Sequence, residues 1–116
     1  MLIFIASSPG TVKAAGDATA GKSIFEEECS ECHNIQGKHK KGPTLAGVLG
    51  RKAGTVTDYS EYSDEMKSSG IVWSEDTLDK YLTTPRKFIQ GAKMKYDGLQ
   101  DAKARADLIA LLATIK

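Results

Sequence analysis

Cys29-Ser30-Glu31-Cys32-His33 is the stretch on which the reading of this chain turns. Two thiols three residues apart, followed directly by an imidazole, form the C-x-x-C-H pattern of c-type haem attachment. The spacing has a chemical reason. In helical geometry residues i and i+3 share a face, so both sulfurs reach the two vinyl groups on one edge of a single porphyrin. The next residue brings its imidazole under the ring, where a nitrogen ligates iron. Cys29, Cys32 and His33 are therefore the expected anchor of one covalently bound haem c, with His33 as an axial ligand.

Three other chemistries compete for these residues. A zinc site would recruit His33 and His39, but zinc fingers separate the cysteine pair from the first histidine by about twelve residues or more. A thiol redox pair belongs after a strand in a βαβ unit, whereas the flanking Ser23-Ile-Phe-Glu-Glu-Glu28 reads as helix. A disulfide closing so short a loop would remove little unfolded-state entropy. Haem attachment fits best.

The 116 residues allow one small domain. With three Phe and one Trp the core is thin, and a large flat apolar cofactor would complete it. Met1-Leu-Ile-Phe-Ile-Ala6 is far short of the ~20 residues a membrane span requires. The small residues that follow, to Ala15, suit a signal peptidase. Residues 1–16 are expected to be a leader remnant or a disordered tail, and residues 17–116 the folded domain.

The pattern along the domain is all-α. A first helix is expected over Thr19 to Cys32, with Ile24 and Phe25 inward and Glu26, Glu27, Glu28 and Glu31 outward. Glycines at 37, 42, 47, 50 and 54 break any long period from Asn34 to Thr57. A short helix is expected over Asp64 to Ser69, closed by Gly70. Ser74 caps the next, which buries Leu78, Tyr81 and Leu82 and runs to Thr83. Thr84-Pro85 begins a short turn to Ile89, and Asp101 opens a last helix with Leu108, Leu111, Leu112 and Ile115 on one stripe.

A six-coordinate haem also needs a ligand opposite His33, and the candidates are Met66, Met94 and His39. Met66 lies in a helical stretch where methionine commonly packs. His39 is only six residues from His33, a short reach to the other face of a porphyrin. Met94 stands in the polar loop Gly91-Ala-Lys-Met-Lys-Tyr-Asp-Gly98, where a lone apolar side chain has no helical face to serve. A thioether is a good soft ligand there, and His/Met ligation raises the reduction potential. Met94 is the preferred ligand.

The ordered motifs Gly21-Lys-Ser-Ile-Phe25, Cys29–His33, Lys38-His-Lys-Lys-Gly-Pro-Thr-Leu45, Gly50-Arg-Lys-Ala-Gly54, Gly70-Ile-Val-Trp73, Tyr81-Leu-Thr-Thr-Pro-Arg-Lys87, Gly91-Ala-Lys-Met94 and Asp107-Leu-Ile-Ala110 resemble the class I c-type cytochromes. The likeness runs from about Gly21 to Leu112. It implies a small all-α fold whose helices and long loops wrap one covalent haem. It also implies that the Pro43 carbonyl accepts from the ring N–H of His33, and that Arg51, Tyr62 and Trp73 neighbour the haem propionates. Tyr81 would bring its hydroxyl to the methionine sulfur, and Gly21, Phe25 and Leu108 would form the crossing of first and last helices. The chain departs from the family at Gln90 and Ala92, in place of proline and threonine, which loosens the methionine loop. Met66 stands for an internal asparagine and Tyr96 for a phenylalanine, and the segment between Gly54 and Tyr62 is one residue longer.

The formal net charge is only +1, and Lys13 lies in the leader-like stretch. Its distribution says more than its sum. No acid occurs between Asn34 and Thr57 or between Lys80 and Tyr96, segments carrying Lys38, Lys40, Lys41, Arg51, Lys52, Lys80, Arg86, Lys87, Lys93 and Lys95. A basic ring at the haem edge would steer acidic redox partners. Sparse charge without interleaved aromatics excludes nucleic acid. The resemblance implies a soluble, monomeric single-haem electron carrier, not an enzyme. Its partners would be a cytochrome bc-type complex and a terminal oxidase or reaction centre. The leader-like start favours the bacterial periplasm over the mitochondrial intermembrane space. The rival function is a c-haem peroxidase or gas sensor with a labile sixth ligand.

Overall fold

The computed structural model describes residues 16–91 and 93–116; residues 1–15, nearly all of the leader-like stretch, and Ala92 lie outside them. Among the described residues the regular elements are α1 (Ala18–Glu28), α2 (Asp64–Lys67), α3 (Glu75–Thr83), α4 (Pro85–Phe88) and α5 (Ala102–Thr114). A single antiparallel bridge, Lys52 with Val72, ties two of the loops together.

Local chemistry accounts for most helix starts. Asp17 caps α1 by accepting from the Thr19 and Ala20 amides. Ser74 and Thr77 form a reciprocal capping box on α3. Asp101 accepts from the Lys103 amide at the head of α5, and Pro85 takes the first position of α4. The end of α1 differs from expectation. It stops at Glu28, four residues before Cys32, because Ser30 donates its hydroxyl to the Glu26 carbonyl and the amides of Cys29 and Ser30 converge on Phe25 O. The haem-attachment motif therefore occupies a turn after the helix. The Cys29 carbonyl accepts from the amides of Cys32 at 3.1 Å and His33 at 2.9 Å, so the turn preserves the i, i+3 relation of the two thiols.

The core sits where α1 crosses α5. A Cβ on Gly21 would lie 2.1 Å from the Asp107 carbonyl oxygen, so the two backbones meet with no side chain between them. Phe25, Leu108 and Leu112 are buried around that crossing, as the stripe implied, and so are Leu78, Tyr81 and Leu82 of α3. Ile109 and Asp107, which the stripe omitted, are buried too. Asp107 is not an apolar error in the pattern. Its Oδ1 accepts from the Asp17 amide at 2.8 Å, and Lys103 Nζ reaches both carboxylate oxygens at 2.8 and 2.9 Å. One side chain thus joins the start of α1 to α5.

The Asp17 amide first, and then Lys103, hold the Asp107 carboxyl below the ordinary aspartate value. A depressed folded-state pKa contributes stability above the unfolded value, near 3.9, that is lost as pH falls through the folded value. Asp107→Asn should therefore show its largest deficit in urea midpoint at neutral pH, and the gap from wild type should close on acidification below about pH 4. A gap independent of pH would contradict this account.

Candidate haem-binding site

Hydrogen bonds between two loops orient the proximal histidine. The Gly42 amide donates to Cys32 O at 2.8 Å and the Leu45 amide to Asn34 O at 2.8 Å, which lays Gly42-Pro-Thr-Leu45 against the cysteine turn. The Pro43 carbonyl can only accept, so His33 Nδ1 must be the protonated nitrogen in their 2.8 Å contact. Nε2 is left with its lone pair, the form in which imidazole binds metal. Burial lowers the pKa of His33, the Pro43 bond opposes that, and Arg51 adds to it. Gly42 fits closely: a Cβ there would lie 2.3 Å from His33 Cε1 and push the ring aside.

A cavity of about 600 Å³ opens beside this imidazole, within the range that holds a cofactor-sized ligand. It brings together every residue expected at the site: Cys29, Cys32, His33, Pro43, Arg51, Tyr62, Trp73, Tyr81 and Met94. Leu45 from the loop, Leu78 and Leu82 from α3, and Leu108 and Leu112 from α5 supply apolar walls. The helical leucines were legible as inward-facing, but not as lining a shared cavity; Leu45 carried no such signal.

Two sulfur environments differ. Burial, Glu28 and Cys32 together push the Cys29 thiol up to about 12, the opposite of the depressed value a redox-active or metal-binding thiol needs. Met94 is half-buried, and the Tyr81 hydroxyl donates to its sulfur at 3.7 Å. Burial pushes the Tyr81 phenol up to about 12, which keeps that donor protonated. The Tyr81 ring is itself fixed by Trp73, with centroids 5.0 Å apart, and by Phe88 at 6.3 Å.

Arg51 donates to the Ala46 and Thr44 carbonyls, and burial lowers its pKa. Tyr62 accepts from the Val56 amide. Both line the cavity. Met66 lines it too. His39 is engaged elsewhere: its Nδ1 accepts from the Thr44 amide, and its Nε2–H donates to Asp58 at 2.8 Å. It therefore does not join the cysteines, and among the described residues no group of three or more His, Cys, Asp or Glu is arranged to hold a metal ion.

Two thiols at the edge of an apolar cavity, with an imidazole nitrogen kept free and a thioether in the same wall, form a donor set that fits haem c. The family profile for cytochrome c matches residues 18–116. The chain belongs to the cytochrome c family. It is 48% identical over 101 residues to cytochrome c of Gibberella zeae, covering 85% of this chain and 94% of that protein. Cytochrome c of Tetrahymena pyriformis is 46% identical over 107 residues, covering 92% of this chain and 96% of its own. Among solved structures, cytochrome cH from Methylobacterium extorquens superimposes with a TM-score of 0.80 at 43% identity, covering 85% of this chain and 99% of that one.

Membership in the cytochrome c family makes the chain a haem electron carrier rather than an enzyme, with haem c attached through Cys29 and Cys32. No helix among the described residues is long and apolar enough to cross a membrane. One sequence expectation changes at the cavity mouth. Lys41, Lys93 and Lys95 stand there, but Glu28, Glu31 and Glu61 stand with them. Lys80 is paired with Asp76 and Arg86 with Asp97. The mouth of this cytochrome is two-signed: Glu28, at the end of α1, and Glu31, in the cysteine turn, stand with the lysines.

Proposed function

We propose that this cytochrome shuttles single electrons between redox proteins, with His33 and Met94 as axial ligands. The observation that carries the proposal is that His33 Nε2 is left free by the Pro43 contact while the Met94 sulfur lies in the same cavity, held by Tyr81. When bound, haem c supplies a one-electron ferrous/ferric couple.

The chain's own residues set how that couple behaves. Pro43 orients the His33 imidazole and strengthens its donation. Tyr81 steadies the thioether. Leu78, Leu82, Leu108 and Leu112 exclude water, and a dry wall disfavours additional positive charge, so burial and the methionine both favour the reduced state. Arg51, Tyr62 and Trp73 provide the polar corner for the two propionates. With both ligands on fixed loops, little has to rearrange as the charge changes.

Lys41, Lys93 and Lys95 at the mouth suit acidic faces on a cytochrome bc-type complex and on a terminal oxidase or reaction centre. With residues 1–16 a leader remnant or tail and 17–116 the domain, the bacterial periplasm is the favoured compartment. The alternative is the mitochondrial intermembrane space, favoured by relatives from a fungus and a ciliate.

Voltammetry on the purified holoprotein should give one reversible single-electron wave, and the ferrous form should not change its spectrum under carbon monoxide at neutral pH. A carbon monoxide adduct would favour the peroxidase or gas-sensor reading and overturn the carrier.

A further inference from the structure

We propose that Tyr96 and Glu28 form a strap that holds the methionine loop closed against the cysteine-bearing turn, making Tyr96 a positioning residue for Met94. The strap rests on Met94 being an iron ligand. The Tyr96 hydroxyl donates to Glu28 Oε1 at 2.7 Å, across 68 positions of sequence. Glu28 is the last residue of α1 and directly precedes Cys29; Tyr96 lies two residues past Met94. Both line the mouth of the haem cavity. The bond therefore joins the segment carrying the distal sulfur to the segment carrying the first thioether sulfur.

The other fastenings of this loop run elsewhere. Tyr81 reaches the Met94 sulfur from α3. Arg86 of α4 pairs with Asp97 at 2.9 Å, but both ends are well exposed, a setting in which ion pairs contribute little. The Tyr96–Glu28 bond extends the closure to α1. It is a hydrogen bond from a phenol to a carboxylate, stronger than a neutral one. A phenylalanine at this position would fill the same space and make no strap.

An external ligand can take the place of Met94 only when the loop opens, and its apparent affinity scales with the open fraction. Loss of one such bond should enlarge that fraction about three- to tenfold. The test is an imidazole titration of the ferric holoprotein at neutral pH. It follows the long-wavelength charge-transfer band of methionine-ligated ferric haem, with hydrogen exchange of the amides of residues 93–98 measured in parallel. Tyr96→Phe should bind imidazole about three- to tenfold more tightly and exchange faster in the loop, with the amides of α5 unchanged. Glu28→Ala should match it, Glu28→Gln should keep most of the wild-type behaviour through its amide oxygen, and the double variant should be no worse than either single one.

Wild-type behaviour of Tyr96→Phe, or additive effects of the two substitutions, would overturn the strap. A wild-type protein lacking the charge-transfer band before any imidazole is added would instead overturn the ligand assignment beneath it.

Discussion

Met94→Ala is expected to abolish the methionine–ferric charge-transfer band, lower the reduction potential and open the ferrous form to carbon monoxide. The thioether is a soft ligand that favours ferrous iron, and its removal leaves water or a foreign base in its place. The potential should fall on the order of 0.1–0.3 V, a fraction of the roughly 0.8 V that axial ligands span. Covalent haem should be retained, because Cys29, Cys32 and His33 lie on a separate turn fastened to the Gly42–Leu45 loop, and Met94 is not among the groups that hold that turn. Voltammetry and a carbon monoxide difference spectrum read the outcome. An unchanged potential in Met94→Ala would assign the sixth position elsewhere, with Met66 the next thioether in the cavity wall.

Gly21→Ala is expected to be the most damaging small change outside the haem contacts. The added carbon would stand 2.1 Å from the Asp107 carbonyl oxygen and 2.7 Å from its carbon. Both are backbone atoms inside α5, so no side-chain rotation relieves the overlap. The helices must separate, which unpacks Phe25, Leu108 and Leu112 and pulls the Asp17 amide from Asp107. Overpacking of this kind costs about 3 kcal/mol, against a total stability of about 5–15 kcal/mol. Gly21→Val should leave little folded protein. Denaturant midpoints of the holoproteins decide it, and a Gly21→Ala midpoint equal to wild type would mean that the crossing is looser than described.

How much of this was readable in the chain depends on the range of each interaction. Cys29–His33 was legible because covalent attachment imposes a spacing that sequence displays directly. The starts of α3 and α5 were legible because Ser74 and Asp101 act on amides two or three residues away. The end of α1 was not, since its outward glutamates continue the helical pattern while Ser30 diverts its hydroxyl to the Glu26 carbonyl. Asp107 was hidden for a different reason: a charged residue beside an apolar stripe reads as surface until its partner Asp17, 90 positions away, is known. The sign of the cavity mouth failed similarly. Counting charges by segment found the lysines, but only the fold brings Glu28 and Glu31 to the same rim. The nine expected site residues line one cavity, and only the ordered set of motifs, not any single one, pointed to them together.

The most direct test of the account is the optical spectrum of the purified holoprotein in both redox states. The account predicts a sharp reduced α-band of low-spin covalent haem together with the long-wavelength charge-transfer band in the oxidised form. Covalent haem without that charge-transfer band would contradict His33/Met94 ligation.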